Sequence, residues 1–429
     1  MLFASQNPCG AKAFLNENQR KEEHSMKTIT GGVCAAQGFQ AAAIHCGIKA
    51  GSEKDDLALI VSETECTAAA CFTNNRVKAA PIYVTMEHLE DGVAQAVIAN
   101  SGNANACAPQ GMENAHRMAQ AAADLLGLPE QSVLVMSTGV IGQRLNIECI
   151  EENLPSIQPL LSADGSDAAA KAIMTTDLRQ KSCAVEFEVG GKTCRMGGIA
   201  KGSGMIHPNM GTMLCVVTTD CAIASDLLHE AVRKAVKYTF NCISVDGDTS
   251  TNDTCIVMAN GAAGNELIEW EDEDYEAFYA ALHAVCLDLA KKMAADGEGA
   301  SKLITCTVKH SRNDEVAERL AKAVIASSLV KAAMFGSDAN WGRVLCAMGY
   351  SKAPFRPEYV TIGFSSKAGA ITVCENGMGL DFDEELAKKI LVEDEVSIDV
   401  DVNEGEHTAT AYGCDLTYDY VKINGDYRT

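Results

Sequence analysis

Short apolar runs alternate with amphipathic stretches along most of the chain. This predicts a mixed α/β fold, α+β in type, with layered sheets and flanking helices rather than an all-helical or all-β one. Residues 96–108, AVIANSGNANACA, read as a strand ending in an Asn/Gly loop, followed by a helix through GMENAHRMAQAAADLLG. Residues 132–142, SVLVMSTGVIG, repeat the device: an apolar strand runs into a tight Ser-Thr-Gly turn. A helix through DAAAKAIMTTD precedes the hairpin CAVEFEVGGKTCRMGGIA, whose alternating runs make Gly190-Gly191 its turn and not part of a phosphate-binding loop. Beyond residue 212 come a strand, MLCVVTTD, a helix through DLLHEAVRKAVKYTF, the loop VDGDTSTNDT and a further strand. A helix over residues 275–294 ends in Asp296-Gly297-Glu298-Gly299, and KLITCTVKH follows as a strand. The closing segments DEVSIDVDVN and TATAYGCDLTYDYVKING alternate as an antiparallel pair, with INGDYRT continuing the second as a β run.

Composition narrows the function classes. The chain has 429 residues, 47% of them hydrophobic, enough for a large core. It contains neither a repeat nor a low-complexity linker, so its two halves are expected to share one body. A formal charge of −23, with no local Lys/Arg cluster to offset it, argues against nucleic acid or anionic lipid as a partner. No run approaches the roughly 18 uninterrupted apolar residues of a membrane helix. The 18 cysteines are scattered without a C-x-x-C pair and read as buried free thiols. The 9 histidines show no zinc spacing, so no metal is expected. Residues 1–25 carry no apolar signal-peptide core and precede a second methionine, Met26. They read as a dispensable extension of a cytoplasmic protein.

The chemistry concentrates in residues 201–220, KGSGMIHPNMGTMLCVVTTD. Taken alone, Gly211-Thr212 is an ordinary strand start. Its company is a lysine, Lys201, in a glycine-rich loop, then Met-Ile-x-Pro and Gly-Thr-Met-Leu. The stretch resembles the ornithine acetyltransferase (glutamate N-acetyltransferase) family of arginine biosynthesis, in which a K-G-x-G-M-I-x-P-x-M-A-T-M-L segment holds a self-cleavage site and the catalytic threonine. The resemblance runs from about residue 28 to the end through GGVCAAQGFQAAAIHCGIK, NSGNANAC, STGVIG, AIMTTD, DGDTSTNDT, DGEGASKLI, GSDANWGR and INGDYRT. Gly211 stands where the family usually has alanine.

The resemblance implies a self-cut between Gly211 and Thr212, giving an α chain of residues 26–211 and a β chain of residues 212–429 that assemble as a heterotetramer or larger. A freed α-amine, with a pKa of roughly 8, is a base on the same residue as the weakly nucleophilic hydroxyl it must activate. It further implies ping-pong transfer of acetyl from N-acetylornithine to glutamate through Thr212, with no cofactor. Whether acetyl-CoA is a second donor divides the family. By the same resemblance Thr138 and Gly139 form the oxyanion hole and Glu298 is catalytic. Thr175, Lys201, Thr212, Glu298, Asn424 and Thr429 contact substrate, Thr176 being the alternative to Thr175. A self-processing hydrolase and a binding protein with Thr212 as a plain strand residue are the alternatives.

Overall fold

In the computed structural model, which describes residues 26–49, 51–207 and 213–426, Gly190 and Gly191 have φ of 55° and 71°. A two-residue hairpin turn of this hand demands two positive values, which glycine adopts without a steric cost. The pair joins Lys181–Val189 to Lys192–Lys201, as the alternation predicts. Among the described residues this hairpin belongs to a nine-stranded sheet. Its order is Lys27–Ile29, Lys181–Val189, Lys192–Lys201, Leu214–Thr219, Thr254–Ala259, Leu57–Phe72, Val93–Asn103 and Val133–Val140, with Phe39–Ile44 also paired to Leu57–Phe72.

Leu214–Thr219 and Thr254–Ala259 run parallel at the centre, Leu214 opposite Thr254, and are buried along their whole length. Strands covered on both faces need such unbroken apolar runs. Cys215 and Val217 enter the core under the helices Ser225–Tyr238 and Glu273–Ala295. Leu214 and Val216 enter the opposite core with Phe39, Ala169 and Ala172. Helix Gly111–Leu126 covers the far strands, where Val133 and Val135 meet Met118 and Ala122.

A second sheet, seven-stranded among the described residues, has the order Met378–Gly379, Gly369–Glu375, Thr361–Ser366, Glu395–Asp401, Leu303–Ser311, His407–Cys414 and Ile243–Ser244. Helices Asp314–Ala326, Trp341–Tyr350 and Glu384–Leu391 close its core around Cys306, Leu320, Val344 and Ile390. Helix Glu273–Ala295 connects the two layers. Asp272 caps it by accepting the Asp274 and Tyr275 N–H groups, and its C-terminal end leads through residues 296–302 into Leu303–Ser311, an interior strand of the second sheet.

Four segments depart from the sequence pattern. Ser137-Thr138-Gly139 is not a turn: the strand runs on to Val140, and the register against Val93–Asn103 shifts at Gly102 and Asn103. The bend is absorbed in the ladder because Gly139, at φ 131°, lies where a Cβ would strike the Gly102 carbonyl carbon and the Asn103 nitrogen. Glu395–Asp401 and His407–Cys414 do not pair with each other. Leu303–Ser311 lies between them, parallel to the first and antiparallel to the second, since alternation specifies the buried face and not the neighbouring strand. Residues 418–426 form a helix rather than a β run. The helix Ser166–Ala172 stops before Thr175, leaving residues 175–177 in a turn where Asp177 accepts the Thr175 N–H. The cysteines among the described residues are free, and no helix among them is long and apolar enough to cross a membrane.

Gly165 fixes where helix Ser166–Ala172 begins, because its backbone rests on the Ala41 carbonyl with no room for a Cβ. Gly165→Ala therefore lowers stability by about 3 kcal/mol, the cost of forced overpacking. Gly191→Ala, with no atom within 4 Å of its added Cβ, costs only the left-handed strain of about 1 kcal/mol. Denaturant midpoints of the two variants measure the contrast, and equal losses would show that the Ala41 contact relaxes freely.

Candidate active site

The site starts from a buried carboxylate. Asp177 has no exposed side-chain surface and sits between two lysines. Lys181 Nζ donates to Asp177 Oδ1 at 2.7 Å and to Asp296 Oδ2 at 2.7 Å. Lys201 Nζ lies 3.8 Å from Asp177 Oδ2. The Gly202 N–H donates to Asp177 Oδ1 at 2.7 Å. Burial by itself would raise the Asp177 carboxyl, but Lys201, Lys181 and the Gly202 N–H outweigh it and hold the group well below the usual carboxylate range. Asp296, at the end of helix Glu273–Ala295, also accepts the Leu178 and Arg179 N–H groups.

Lys201, 7% exposed, is thereby aimed into a cavity of about 180 Å³. Its Nζ donates to Thr175 Oγ1 at 2.8 Å and reaches Thr138 Oγ1 at 3.5 Å. Thr138, Gly139, Thr175, Thr176, Lys201, Glu298 and Asn424 all line this cavity. The structure thus brings together every predicted site residue that it describes, and it is the Thr175 hydroxyl that takes the Lys201 bond. Gly211, Thr212 and Thr429 lie outside the described residues. Met213, the next residue after Thr212, lines the cavity.

Glu298 reaches the cavity because two glycines clear its path. A Cβ on Gly204 would sit in the Glu298 carboxyl, and one on Gly299, at φ 69°, would strike the Tyr420 nitrogen of the C-terminal helix. That helix delivers Asn424, whose Nδ2 donates to Glu298 Oε2 at 2.6 Å. The Glu298 N–H donates to the Ser203 carbonyl at 2.9 Å, so the glutamate loop and the lysine loop are tied directly.

Several residues of the site carried no separate signal in the sequence. Asn252, in the DGDTSTNDT loop, donates to the Ala104 and Ser137 carbonyls at 2.7 and 2.8 Å and so fixes the strand that presents Thr138. Its neighbour Asp253 is 1% exposed and also lines the cavity. Burial pushes its carboxyl well above the ordinary value, outweighing the Thr73 and Ser250 side chains, the Met213 N–H and the Lys201 charge, all of which favour the carboxylate. Asp177 and Asp296 stood within the quoted motifs AIMTTD and DGEGASKLI, but a lone Asp at a helix end gives no hint that Lys181 joins the two, 115 residues from Asp296.

Removing Lys181 strands two buried carboxylates. Lys181→Met should therefore cost about 3–5 kcal/mol at neutral pH. The depressed Asp177 pKa gives the pH sign: its stabilisation is present above roughly pH 4 and is lost as pH falls through the lower folded value. Melting temperature against pH should show the wild-type advantage over Lys181→Met shrinking below about pH 4. A constant advantage would exclude the ionic account.

Residues 40–429 match the ArgJ family. The chain is 50% identical to the arginine biosynthesis bifunctional protein ArgJ 1 of Clostridium acetobutylicum, covering 91% of this chain and 96% of that protein. It is also 50% identical to the arginine biosynthesis bifunctional protein ArgJ of Caldanaerobacter subterraneus, covering 94% of this chain and all of that protein. Among solved structures it is similar to the ornithine acetyltransferase of Mycobacterium tuberculosis in complex with ornithine, at 38% identity and a TM-score of 0.40, over 43% of this chain and 99% of that one. On the family match and the identity that spans nearly its whole length, the chain belongs to the ArgJ family.

Proposed function

We propose that the protein is an acetyltransferase of arginine biosynthesis that cuts itself between Gly211 and Thr212 and then carries acetyl on Thr212 from N-acetylornithine to glutamate. One observation carries this reading. Thr138, Gly139, Thr175, Lys201, Glu298 and Asn424, drawn from separate motifs, converge on one cavity beside Met213. The naming of the relatives as arginine biosynthesis proteins supports it, and the word bifunctional in those names is consistent with acetyl-CoA as a second donor.

The residues divide the work. The Lys201 ammonium, with its partners on one side fixed, pairs with the α-carboxylate that acetylornithine and glutamate share. The Thr212 hydroxyl attacks the acetyl carbon, and the Thr212 α-amine takes the hydroxyl proton. Thr138 and Gly139 hold the resulting oxyanion. As the C–N bond breaks, that proton passes to the departing ornithine amine, leaving an acetyl ester on Thr212. The glutamate amine then attacks the ester and the steps run in reverse, with Glu298 and Asn424 orienting the incoming amino acid. Thr429 closes the pocket from the C-terminus, and the cut halves stay together as α and β chains that assemble further.

The test combines processing with transfer. Purified protein should give two bands on a denaturing gel, the smaller beginning Thr-Met-Leu-Cys. Acetylornithine alone should add one acetyl group to that fragment, and glutamate should remove it. Thr138→Ala should leave melting unchanged while slowing turnover by about 10²-fold or more, the scale of a lost oxyanion donor. An uncut chain, or acetyl transfer without an acetylated fragment, would overturn the proposal.

A further inference from the structure

Away from the cavity, the fold brings three metal-ligating side chains together. His88, His116 and Glu130 each offer a donor atom within 4.8 Å of the other two, and none of them lines the cavity. They come from three elements. His88 ends the helix Ala80–His88, His116 lies in the helix Gly111–Leu126, and Glu130 opens the short turn Glu130–Ser132 that leads into the strand Val133–Val140. No short spacing links them along the chain, so the spacing of the histidines carries no sign of the cluster.

The proton positions leave room for a cation. His88 is buried, with its Nδ1 2.8 Å from the Val133 carbonyl. A carbonyl only accepts, so Nδ1 carries the proton and in the neutral ring Nε2 keeps its lone pair. Nε2 lies 3.8 Å from Glu130 Oε1, beyond hydrogen-bond length. Two acceptors thus stand side by side, an arrangement that a cation between them stabilises. His116 Nδ1 is 2.8 Å from the same oxygen, and its Nε2 is 4.0 Å from Glu87 Oε2. When a metal takes Nδ1, exchange with water moves the ring proton to Nε2, on the side of the Glu87 carboxylate. Each imidazole then has an outer acceptor, the Val133 carbonyl for one and Glu87 for the other, which is the usual support of a metal-bound histidine.

We propose that His88 Nε2, His116 Nδ1 and the Glu130 carboxylate bind one divalent transition-metal cation of the zinc class, with water as the fourth ligand. Bonds of about 2.0–2.1 Å in a tetrahedron set donor atoms about 3.4 Å apart. The separations of 3.8 and 2.8 Å at Glu130 Oε1 lie on either side of that value. His116 and Glu130 are only partly buried and can turn by the fraction of an ångström required. Two imidazoles and one carboxylate suit zinc and its neighbours, whereas magnesium and calcium prefer oxygen alone. The helix Ala80–His88 already grips the strand Val133–Val140, since the Thr85 hydroxyl donates to the Val135 carbonyl and accepts the Val135 N–H, both at 2.8 Å. The ion adds the helix Gly111–Leu126 to that grip, at the start of the strand whose far end carries Thr138 and Gly139. Its role is structural and separate from acetyl transfer.

Untagged protein stripped with a chelator should take up one equivalent of Co²⁺. The visible bands should be those of a tetrahedral site, without the near-ultraviolet band of a thiolate ligand, and Zn²⁺ should displace the cobalt. Losing an outer partner already costs about 10–100-fold in metal affinity, so Glu130→Gln and His116→Gln should each weaken uptake by about 10²-fold or more. Zinc should raise the melting temperature of the wild type and leave both variants unmoved, and magnesium should shift none of them. The metal-free melting transition shows that each variant is folded, and if one fails to fold the other decides. No uptake by the wild type, uptake with the thiolate band, an equal response to magnesium, or uptake that survives in a folded variant would reduce the three residues to a hydrogen-bonded cluster and overturn the site.

Discussion

The run of charges from Lys201 through Asp177 and Lys181 to Asp296 is the interaction on which the cavity depends. Two lysines and two carboxylates balance, so the group as a whole brings no net charge into the interior. Each buried ion still loses its hydration, a cost that ion pairing offsets only with good geometry and full hydrogen bonding. Here the carboxylates also accept N–H groups from Gly202, Thr175, Leu178 and Arg179. The network ties the turn after helix Ser166–Ala172, the end of the hairpin strand Lys192–Lys201 and the end of helix Glu273–Ala295. Well-packed hydrophobic residues of similar volume often match the stability of such a network, but they would not aim an ammonium at Thr175.

Backbone clearance is the second constraint. Gly139, Gly204 and Gly299 sit where a Cβ would strike, respectively, the neighbouring strand, the Glu298 carboxyl and the C-terminal helix. Side chains at these positions would hold the three walls of the cavity apart. The Asn-rich stretch NSGNANAC works in the same way from the polar side. Asn100 Nδ2 donates to the Asn103 carbonyl, Asn103 Nδ2 to the Gln143 and Arg144 carbonyls, and Asn105 Nδ2 to the Gly111 carbonyl. Asn105 itself adopts φ 48°, which Asn tolerates better than most residues. These bonds satisfy a loop whose backbone bends beside Thr138.

Legibility in the sequence followed the range of the forces. The glycine turn at 190–191 and the fully buried strands at 214–219 and 254–259 are set by neighbours a few residues apart, and they were readable. The place of Leu303–Ser311 between Glu395–Asp401 and His407–Cys414 was not, because each strand's alternation would fit any register-compatible neighbour. The helix at 418–426 was misread for a related reason. YDYVKINGD is weakly amphipathic, and its helical form goes with its seat against Gly299. In the site, the residues found by resemblance were those in motifs with unusual local composition. Lys181, Asp296 and Asn252 act across the fold through partners distant in sequence, and the short-range pair of Asp177 with Lys181 looks like any surface pair until its burial is known. Asp253 adjoins Asn252 in a polar loop that reads as a surface turn until its burial is known.

Both flanks of residues 208–212 are anchored independently, and this bears on how the cavity would outlast the proposed cut. On one side Asp246 accepts the Met205 and Ile206 N–H groups at 2.6 and 2.8 Å, and the Val245 N–H donates to the Ile206 carbonyl. On the other the Thr254 N–H holds the Met213 carbonyl, and the buried strand Leu214–Thr219 follows. Neither set of bonds crosses the Gly211-Thr212 peptide. The proposed cut at that bond would leave Lys201, Glu298 and Met213 tied to the same supports as before, so the loss of covalent continuity would carry no need to rebuild the site. The proposed self-cleavage needs a scaffold indifferent to the cut, and elements cross-tied by buried charge meet that need.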